Sequence, residues 1–335
     1  MDLFTNHSLT PHHTFGLEVR TAFFVEIKTE EELRQALSQC TPPALLLGGG
    51  SNILFTRDWP GTVVHMQLKG REVISEKEGT VLIAAGAGEN WHDLVLWTLD
   101  QNLGGIENLS LIPGSAGAAP IQNIGAYGVE LTDVFDHLEA MDLQTGEIHT
   151  FDREACRFGY RDSIFKNELK GRYAIIRVFL RLQKDPVVNT GYGAIREVLV
   201  QKGIDQPTIR DVSEAVIGIR RSKLPDPAVL GNAGSFFKNP EVEAGQLKML
   251  LTEFPNIVHY PLPGGRAKIP AGWLIEQAGW KGKRVGNTGC HAQQALVLVN
   301  YGGATGDEVW AHAQTVARSV KEKFGVELTA EVNIL

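Results

Sequence analysis

Cysteine is scarce in this chain: Cys40, Cys156 and Cys290 are the only three among 335 residues. An odd number of widely spaced cysteines excludes a disulfide framework and a C-x-x-C redox or metal pair. The ten histidines include no H-E-x-x-H, and adjacent His12 and His13 cannot both face one site in regular structure, so no metal centre is expected. Apolar runs fall short of the ~18 residues of a membrane helix. The opening MDLFTNHSLTPHHTFGLEV also lacks a basic start followed by an apolar stretch, so a cytoplasmic protein is expected. Positive charge is in deficit too, with 32 Lys and Arg against 39 Asp and Glu for a net −7. The basic residues are dispersed except at Arg220, Arg221 and Lys223. That balance argues against a nucleic-acid partner, although the cluster could hold a small anion locally.

Several familiar nucleotide and nucleophile signatures are missing as well. GAGENW has two of the three Rossmann glycines but ends in Trp91, and no G-x-x-x-x-G-K-[ST] occurs. The G-x-S-x-G elbow fails at Ser115, where Pro113 takes the place of the first glycine, and at Ser51, where Ile53 takes the place of the last.

What is present is an ordinary globular composition, 43% hydrophobic, long enough for two or three subdomains. Thr29 with Glu32 reads as a capping box opening an amphipathic helix through Leu33, Ala36 and Leu37, and PPALLL then gives a short strand ending at Gly48. Residues 62–68 and 80–85 read as strands, and residues 88–101 as a helix with Trp91, Leu94, Val95 and Leu99 on its apolar face. EAMDL and EIHTF flank a Gln144-Thr145-Gly146 turn, and residues 172–182 place Ile176, Val178, Leu180 and Leu182 at period two. Asp211 and Glu214 repeat the helix-start signal. KLPDPAVLGNAG then marks a boundary into a C-terminal unit of helix, strand and helix.

The most unusual stretch lies between Glu107 and Glu130, where 22 residues carry no charge but include four glycines, four alanines and two prolines. Small residues with such backbone freedom suggest that main chain approaches a ligand closely. Two glycine turns, GGGSN at 48–52 and PGSAGA at 113–118, each follow a short apolar run. Converging main-chain N–H groups in such turns form anion nests, and the absence of Lys or Arg suggests a pyrophosphate held by backbone donors. Either turn alone could equally be a plain tight turn. A valine at Gly49 or Gly117 should resist positive φ and block phosphate approach, lowering cofactor content.

GGGSN, GAGENWHDLV, LIPGSAGAAPIQNIGAYGVEL, FGYRDSIFK, GNAGSFFKNP, IPAGWLIEQAGWKG and AEVNIL, in this order, resemble the UDP-N-acetylenolpyruvoylglucosamine reductases, flavoenzymes that complete UDP-N-acetylmuramate in peptidoglycan synthesis. The resemblance runs from about residue 15 to the end. GYG at 191–193 and FPNIVHYPLPGG resemble the longer form of the family. It implies an α+β protein with the FAD-binding fold of the vanillyl-alcohol oxidase (PCMH) type. Residues 1–69 and 70–224 would be two FAD-binding subdomains and residues 225–325 a substrate-binding subdomain, with 326–335 returning to the first.

The resemblance assigns non-covalent FAD to Gly48, Gly49, Gly50, Ser51, Asn52, Gly114, Ser115, Gly117, Ala118, Asn123, Ile124 and Gly125. It assigns catalysis to Arg161 and Glu331, which would hold the intermediate, and to Ser235 as proton donor. Tyr192, Lys223, Asn239, Tyr260, Lys281 and Gln294 would bind the UDP-sugar. NADPH is the implied reductant, and a monomer is expected. Without the resemblance, Arg161 beside Asp162 would read as a surface ion pair, Ser235 as a cap and Glu331 as a solvated strand residue. Two rivals stay open at this level: another FAD-dependent oxidoreductase of the same fold, and a non-enzymatic nucleotide-sugar binding module.

Overall fold

The computed structural model describes residues 1–335, which fold as two compact units of mixed helix and strand. The first comprises Met1–His7, Thr21–Gly49 and Pro60–Arg221; the second comprises Ser8–Arg20, Gly50–Trp59 and Ser222–Leu335. No helix is long and apolar enough to cross a membrane.

The first unit has two main sheets. One has the strand order Leu3–Ser8, Arg20–Ile27, Trp59–Met66, Ala44–Leu47, with the last two parallel and Leu47 opposite His65. The helix Glu30–Gln39 leads into this edge strand. As expected, Glu32 N donates to Thr29 Oγ1 at 3.1 Å and Thr29 N donates to Glu32 Oε2 at 3.2 Å. Three glutamates in its first turn complement the helix dipole, and Leu33 and Ala36 pack into the cluster of Val25, Ile27 and Val64. The strand therefore ends at a fixed point, and Gly48 and Gly49 turn away from it.

The second sheet is antiparallel, in the order Ile148–Asp152, Phe135–Asp142, Tyr173–Gln183, Thr80–Gly86, Arg71–Lys77. Its central strand departs from simple alternation, because Ile175 and Phe179 are nearly as buried as Ile176, Val178, Leu180 and Leu182. Both faces of this strand are covered: Ile176 packs with Met141 and Val64, while Val178, Leu180 and Leu182 pack with Trp91 and Leu138. The helix expected at 88–101 is Trp91–Asp100, because Asn90 caps it by accepting from Asp93 N at 3.1 Å. The Trp91 indole donates to Leu109 O at 3.0 Å and so ties this helix to the chargeless stretch. The helix expected to start at Asp211 spans Ile209–Lys223. Thr208 and Asp211 exchange side-chain to main-chain hydrogen bonds at its start, and burial of Ile209 draws the extra residues into the helix.

The second unit is built on an antiparallel sheet ordered Gly231–Ser235, Val297–Asn300, Thr288–Cys290, Arg284–Val285. The long helix Gly306–Phe324 buries Val309, Ala313, Val316 and Val320 and opens with a Thr305–Glu308 capping box. Asn333–Ile334 pairs in parallel with Ile53–Leu54, and Asn300 Nδ2 donates to Phe15 O at 3.0 Å.

Candidate functional site

In the first unit the two glycine turns meet. A Cβ on Gly49 would lie 2.8 Å from Gly114 Cα and 3.4 Å from Ser115 N, and one on Gly48 would collide with Ser115 Oγ. Gly114 has φ 115°, which a side chain rarely adopts. The N–H groups of Ala116 and Gly117 donate to Glu89 O at 2.8 Å and Ala87 O at 2.9 Å, so they hold the turn rather than a ligand. Those of Gly49, Gly114 and Ser115 donate to no protein acceptor. Gly117 has no positive φ, and a Cβ there would sit 2.9 Å from Ala87 Cα. The expectation that Gly49 and Gly117 need glycine for positive φ is thus corrected: neither has it, and close approach of main chain to main chain is the constraint. Ala118 is half-buried beside Gly48.

Downstream, the chargeless stretch builds a mount for Arg161. Asn123 is 1% exposed, and its side chain is fully committed. Nδ2 donates to Glu130 Oε2 at 2.8 Å and Gly159 O at 3.1 Å, while Oδ1 accepts from Thr132 N at 3.0 Å. Ile124 is in the core, its N–H bonded to Ala119 O at 3.2 Å. Their main-chain groups are engaged as well, with Asn123 N donating to Pro120 O at 3.4 Å and Ile124 O accepting from Leu131 N at 2.8 Å. Arg161 donates from Nη1 to Asn123 O at 3.4 Å and from Nη2 to Gly125 O. A Cβ on Gly125 would come within 3.0 Å of the guanidinium, so the close approach itself requires glycine. The Arg161 backbone has φ 53° within a tight Gly159–Asp162 turn, a strained conformation of the kind that concentrates at functional sites. Asp162 accepts from Asn167 Nδ2 at 2.9 Å, so its carboxylate serves the turn.

A third feature escapes sequence reading. Gly125–Ala126 and Val129–Glu130 form a hairpin whose two tip residues, Tyr127 at φ 51° and Gly128 at φ 81°, both have positive φ. The Tyr127 ring meets Tyr192 edge-on with centroids 5.1 Å apart, and its hydroxyl pairs with the Arg220 guanidinium. Burial lowers the Arg220 pKa and raises that of Tyr127. Arg220 Nε also donates to Leu111 O at 3.2 Å. Arg220 stood out only as part of a basic cluster, and Tyr127 carried no signal beyond the Tyr-Gly dipeptide of a turn.

The second unit holds the other predicted positions. Gly50 has φ 59°, and a Cβ there would run into His12 O; Ser51 and Asn52 follow, both half-buried. Asn52 Nδ2 donates to Glu331 O at 3.3 Å, and Glu331 N donates to Phe236 O at 2.8 Å. The segments carrying Ser235 and Glu331 therefore run side by side, with Phe237 bridged to Ala330. Ser235 is exposed at the end of its strand after Gly234 (φ 67°), and the next N–H is taken by Leu296 O.

Asn239 and Gln294 come together at the start of the helix Ala271–Gln277. Asn239 Oδ1 accepts from Ala271 N at 2.9 Å, and Gln294 Oε1 lies 2.9 Å from where a Gly272 Cβ would be. Lys281 instead pairs with Glu276 at 3.0 Å. Tyr260 lies in a two-residue strand with its side chain 56% exposed, and Lys223 is exposed at the end of its helix.

The donor set of the first unit fits FAD: main-chain N–H groups of two touching, uncharged glycine turns suit a pyrophosphate. The profile of an FAD binding domain matches residues 21–152, and that of the UDP-N-acetylenolpyruvoylglucosamine reductase C-terminal domain matches residues 226–335. The chain is 52% identical to the UDP-N-acetylenolpyruvoylglucosamine reductase of Pseudomonas aeruginosa, over 100% of this chain and 99% of that one. It is 51% identical to that of Amoebophilus asiaticus over 100% of both. Among solved structures, the UDP-N-acetylenolpyruvylglucosamine reductase of Thermus caldophilus is 25% identical with a TM-score of 0.66, covering 99% of this chain and 98% of its own. With full-length identity of this order and a glycine cradle shaped for the cofactor, the chain belongs to the UDP-N-acetylenolpyruvoylglucosamine reductase family and is an FAD-dependent oxidoreductase.

Proposed function

We propose that this chain reduces the enolpyruvyl ether of UDP-N-acetyl-3-O-(1-carboxyvinyl)-glucosamine to UDP-N-acetylmuramate, with NADPH as reductant. The observation that carries this reading is the full-length identity of about half to reductases named for that substrate. NADPH is a cytoplasmic reductant, and we place the enzyme there as a monomer.

Gly48, Gly49, Gly50, Ser51, Asn52, Gly114, Ser115 and Ala118 would hold the FAD, with Gly117, Asn123, Ile124 and Gly125 shaping the surrounding main chain. When bound and reduced by NADPH, the flavin would supply a hydride to C3 of the substrate. The electron pair left at C2 is then conjugated with the neighbouring carboxylate, where negative charge gathers. Arg161 is assigned to that charge. Its guanidinium is already oriented by two carbonyl oxygens, so it stabilises the enolate with little reorganisation as the charge develops. Glu331 is also assigned to holding the intermediate.

Ser235 is assigned as the acid that protonates C2. Its Oγ–H bond breaks as the C2–H bond forms, and solvent returns a proton to the alkoxide. An alcohol is a weak acid in water, but a carbon-centred enolate is basic enough to take its proton when the two atoms are held in position. Lys223 and Lys281 suit the diphosphate as point charges, Tyr192 and Tyr260 the nucleotide face, and Asn239 and Gln294 supply neutral polar contacts.

Ser235→Ala tests the assignment through its two half-reactions, followed anaerobically by stopped-flow absorbance. Reduction of the bound flavin by NADPH should proceed at close to the normal rate. Reoxidation by the enolpyruvyl substrate should slow by ~10² to 10⁴-fold, the usual contribution of a general acid. Slowed reduction with normal reoxidation would reject Ser235 and pass the role to Glu331.

A further inference from the structure

Asn108 is 1% exposed in the first unit, and its side chain makes two hydrogen bonds from one nitrogen. Nδ2 donates to Tyr127 O at 3.2 Å and to Asn189 O at 3.0 Å. These two carbonyls fix the amide orientation, because reversing it would set oxygen against oxygen. That orientation leaves Oδ1 buried with no protein donor, and the two donated bonds offset part of the cost of burying it. Asn189 completes the link: its Nδ2 donates to Gly128 O at 3.3 Å, and its Oδ1 accepts from Gly191 N at 3.1 Å.

Three hydrogen bonds thus join the hairpin tip at Tyr127–Gly128 to the loop that leads into Tyr192, and a fourth, from Gly191 N to Asn189 Oδ1, shapes that loop internally. Tyr192 itself is 47% exposed and immediately precedes the helix Gly193–Gln201, with no side-chain cap bond of its own. Its one ring contact in the structure is with Tyr127. The tip residue Tyr127 adopts a left-handed conformation that a bulky side chain resists. The carbonyl that Asn108 engages belongs to that strained residue, so Asn108 holds the conformation that aims the Tyr127 ring at Tyr192.

We propose that Asn108 and Asn189 form a positioning pair that sets the Tyr192 loop for nucleotide-sugar binding. The inference rests on the reading of Tyr192 as a substrate residue. Neither asparagine touches substrate in this scheme; both act by removing loop freedom that substrate would otherwise have to quench on binding.

The test uses the flavin-loaded enzyme and the UDP-linked enolpyruvyl substrate. Tyr192→Ala is expected to raise the KM. Asn108→Leu, a near-isosteric change that removes both donors, should raise KM about tenfold while changing kcat and flavin content far less. In a Tyr192→Ala background the same Asn108→Leu change should add less than about twofold, since the loop it positions no longer contributes. Asn189→Ala is exposed and carries the same two arms if Asn108→Leu fails to fold.

An equal KM penalty with and without Tyr192 would make the pair merely structural and overturn the proposal. So would an unchanged KM in Asn108→Leu and Asn189→Ala when Tyr192→Ala is impaired. If Tyr192→Ala binds substrate normally, the reading of Tyr192 fails and the proposal falls with it.

Discussion

Gly49 and Gly117 illustrate how one residue type can be required for a reason its own backbone does not reveal. Both sit where a Cβ would meet main chain, Gly49 against Gly114 and Gly117 against Ala87. Even alanine should therefore act strongly. Gly49→Ala and Gly117→Ala are each expected to reduce the flavin-to-protein absorbance ratio of purified enzyme, and full flavin content in both would show that the turns can separate without loss.

A second residue-scale prediction concerns acid stability. His312 Nε2 lies 3.6 Å from Cys290 Sγ, with Trp280 edge-on to the imidazole at 5.3 Å. Burial pulls His312 down to about 4 and pushes the Cys290 thiol up to about 12, so both are neutral at physiological pH and the pair is no nucleophile. The unfolded imidazole takes its proton near pH 6.5 and the native one near 4. Between those values the unfolded state binds the extra proton, and stability falls as pH falls through that window. At 1.36 kcal/mol per pH unit the loss reaches about 3 kcal/mol at most. His312→Gln should flatten that part of a urea-unfolding profile against pH; an unchanged slope would assign the acid sensitivity elsewhere.

Among the elements, those set by local spacing were legible. The Thr29–Glu32 box is realised as the spacing predicts, because both partners of each hydrogen bond lie within one turn. The start at Asp211 was misread by one turn because TIRD and DVSE are both valid capping patterns, and only the tertiary burial of Ile209 chooses between them. In the candidate site, the two glycine turns could be read from composition. The mount for Arg161 and the Asn108 tether could not, since their partners come from segments up to 81 residues away. The helix Gly306–Phe324 offers a clean test of the local rule. Thr305 Oγ1 accepts from Glu308 N at 3.2 Å, and Glu308 Oε2 accepts from Thr305 N at 2.7 Å. Thr305→Ala should cost ~1 kcal/mol in equilibrium unfolding, whereas Thr305→Asp should cost far less because it retains an acceptor.

For the whole molecule, the decisive fact is that neither unit is one continuous piece of chain. The second takes Ser8–Arg20 and Gly50–Trp59 from far upstream. Asn232 N donates to Thr14 O at 3.0 Å, Phe15 is 1% exposed, and Asn333–Ile334 has Ile53–Leu54 as its strand partner. A fragment of residues 222–335 alone should accordingly lack a cooperative unfolding transition, and a sharp calorimetric transition for it would contradict this. The chargeless stretch contains no histidine, so FAD should leave the intact protein on acid or chaotrope treatment; flavin remaining on denatured chain would show a covalent bond.

The same interleaving sets an order on biosynthesis. A ribosome releases every residue of the first unit by Arg221, yet Leu9, Phe15, Leu17, Leu54 and Phe55, all buried in the finished protein, are made early and belong to a unit that is complete only with Ser222–Leu335. For that interval the nascent chain carries apolar segments whose unit is unfinished, and slow elongation beyond Arg221 should make it a substrate for holding chaperones.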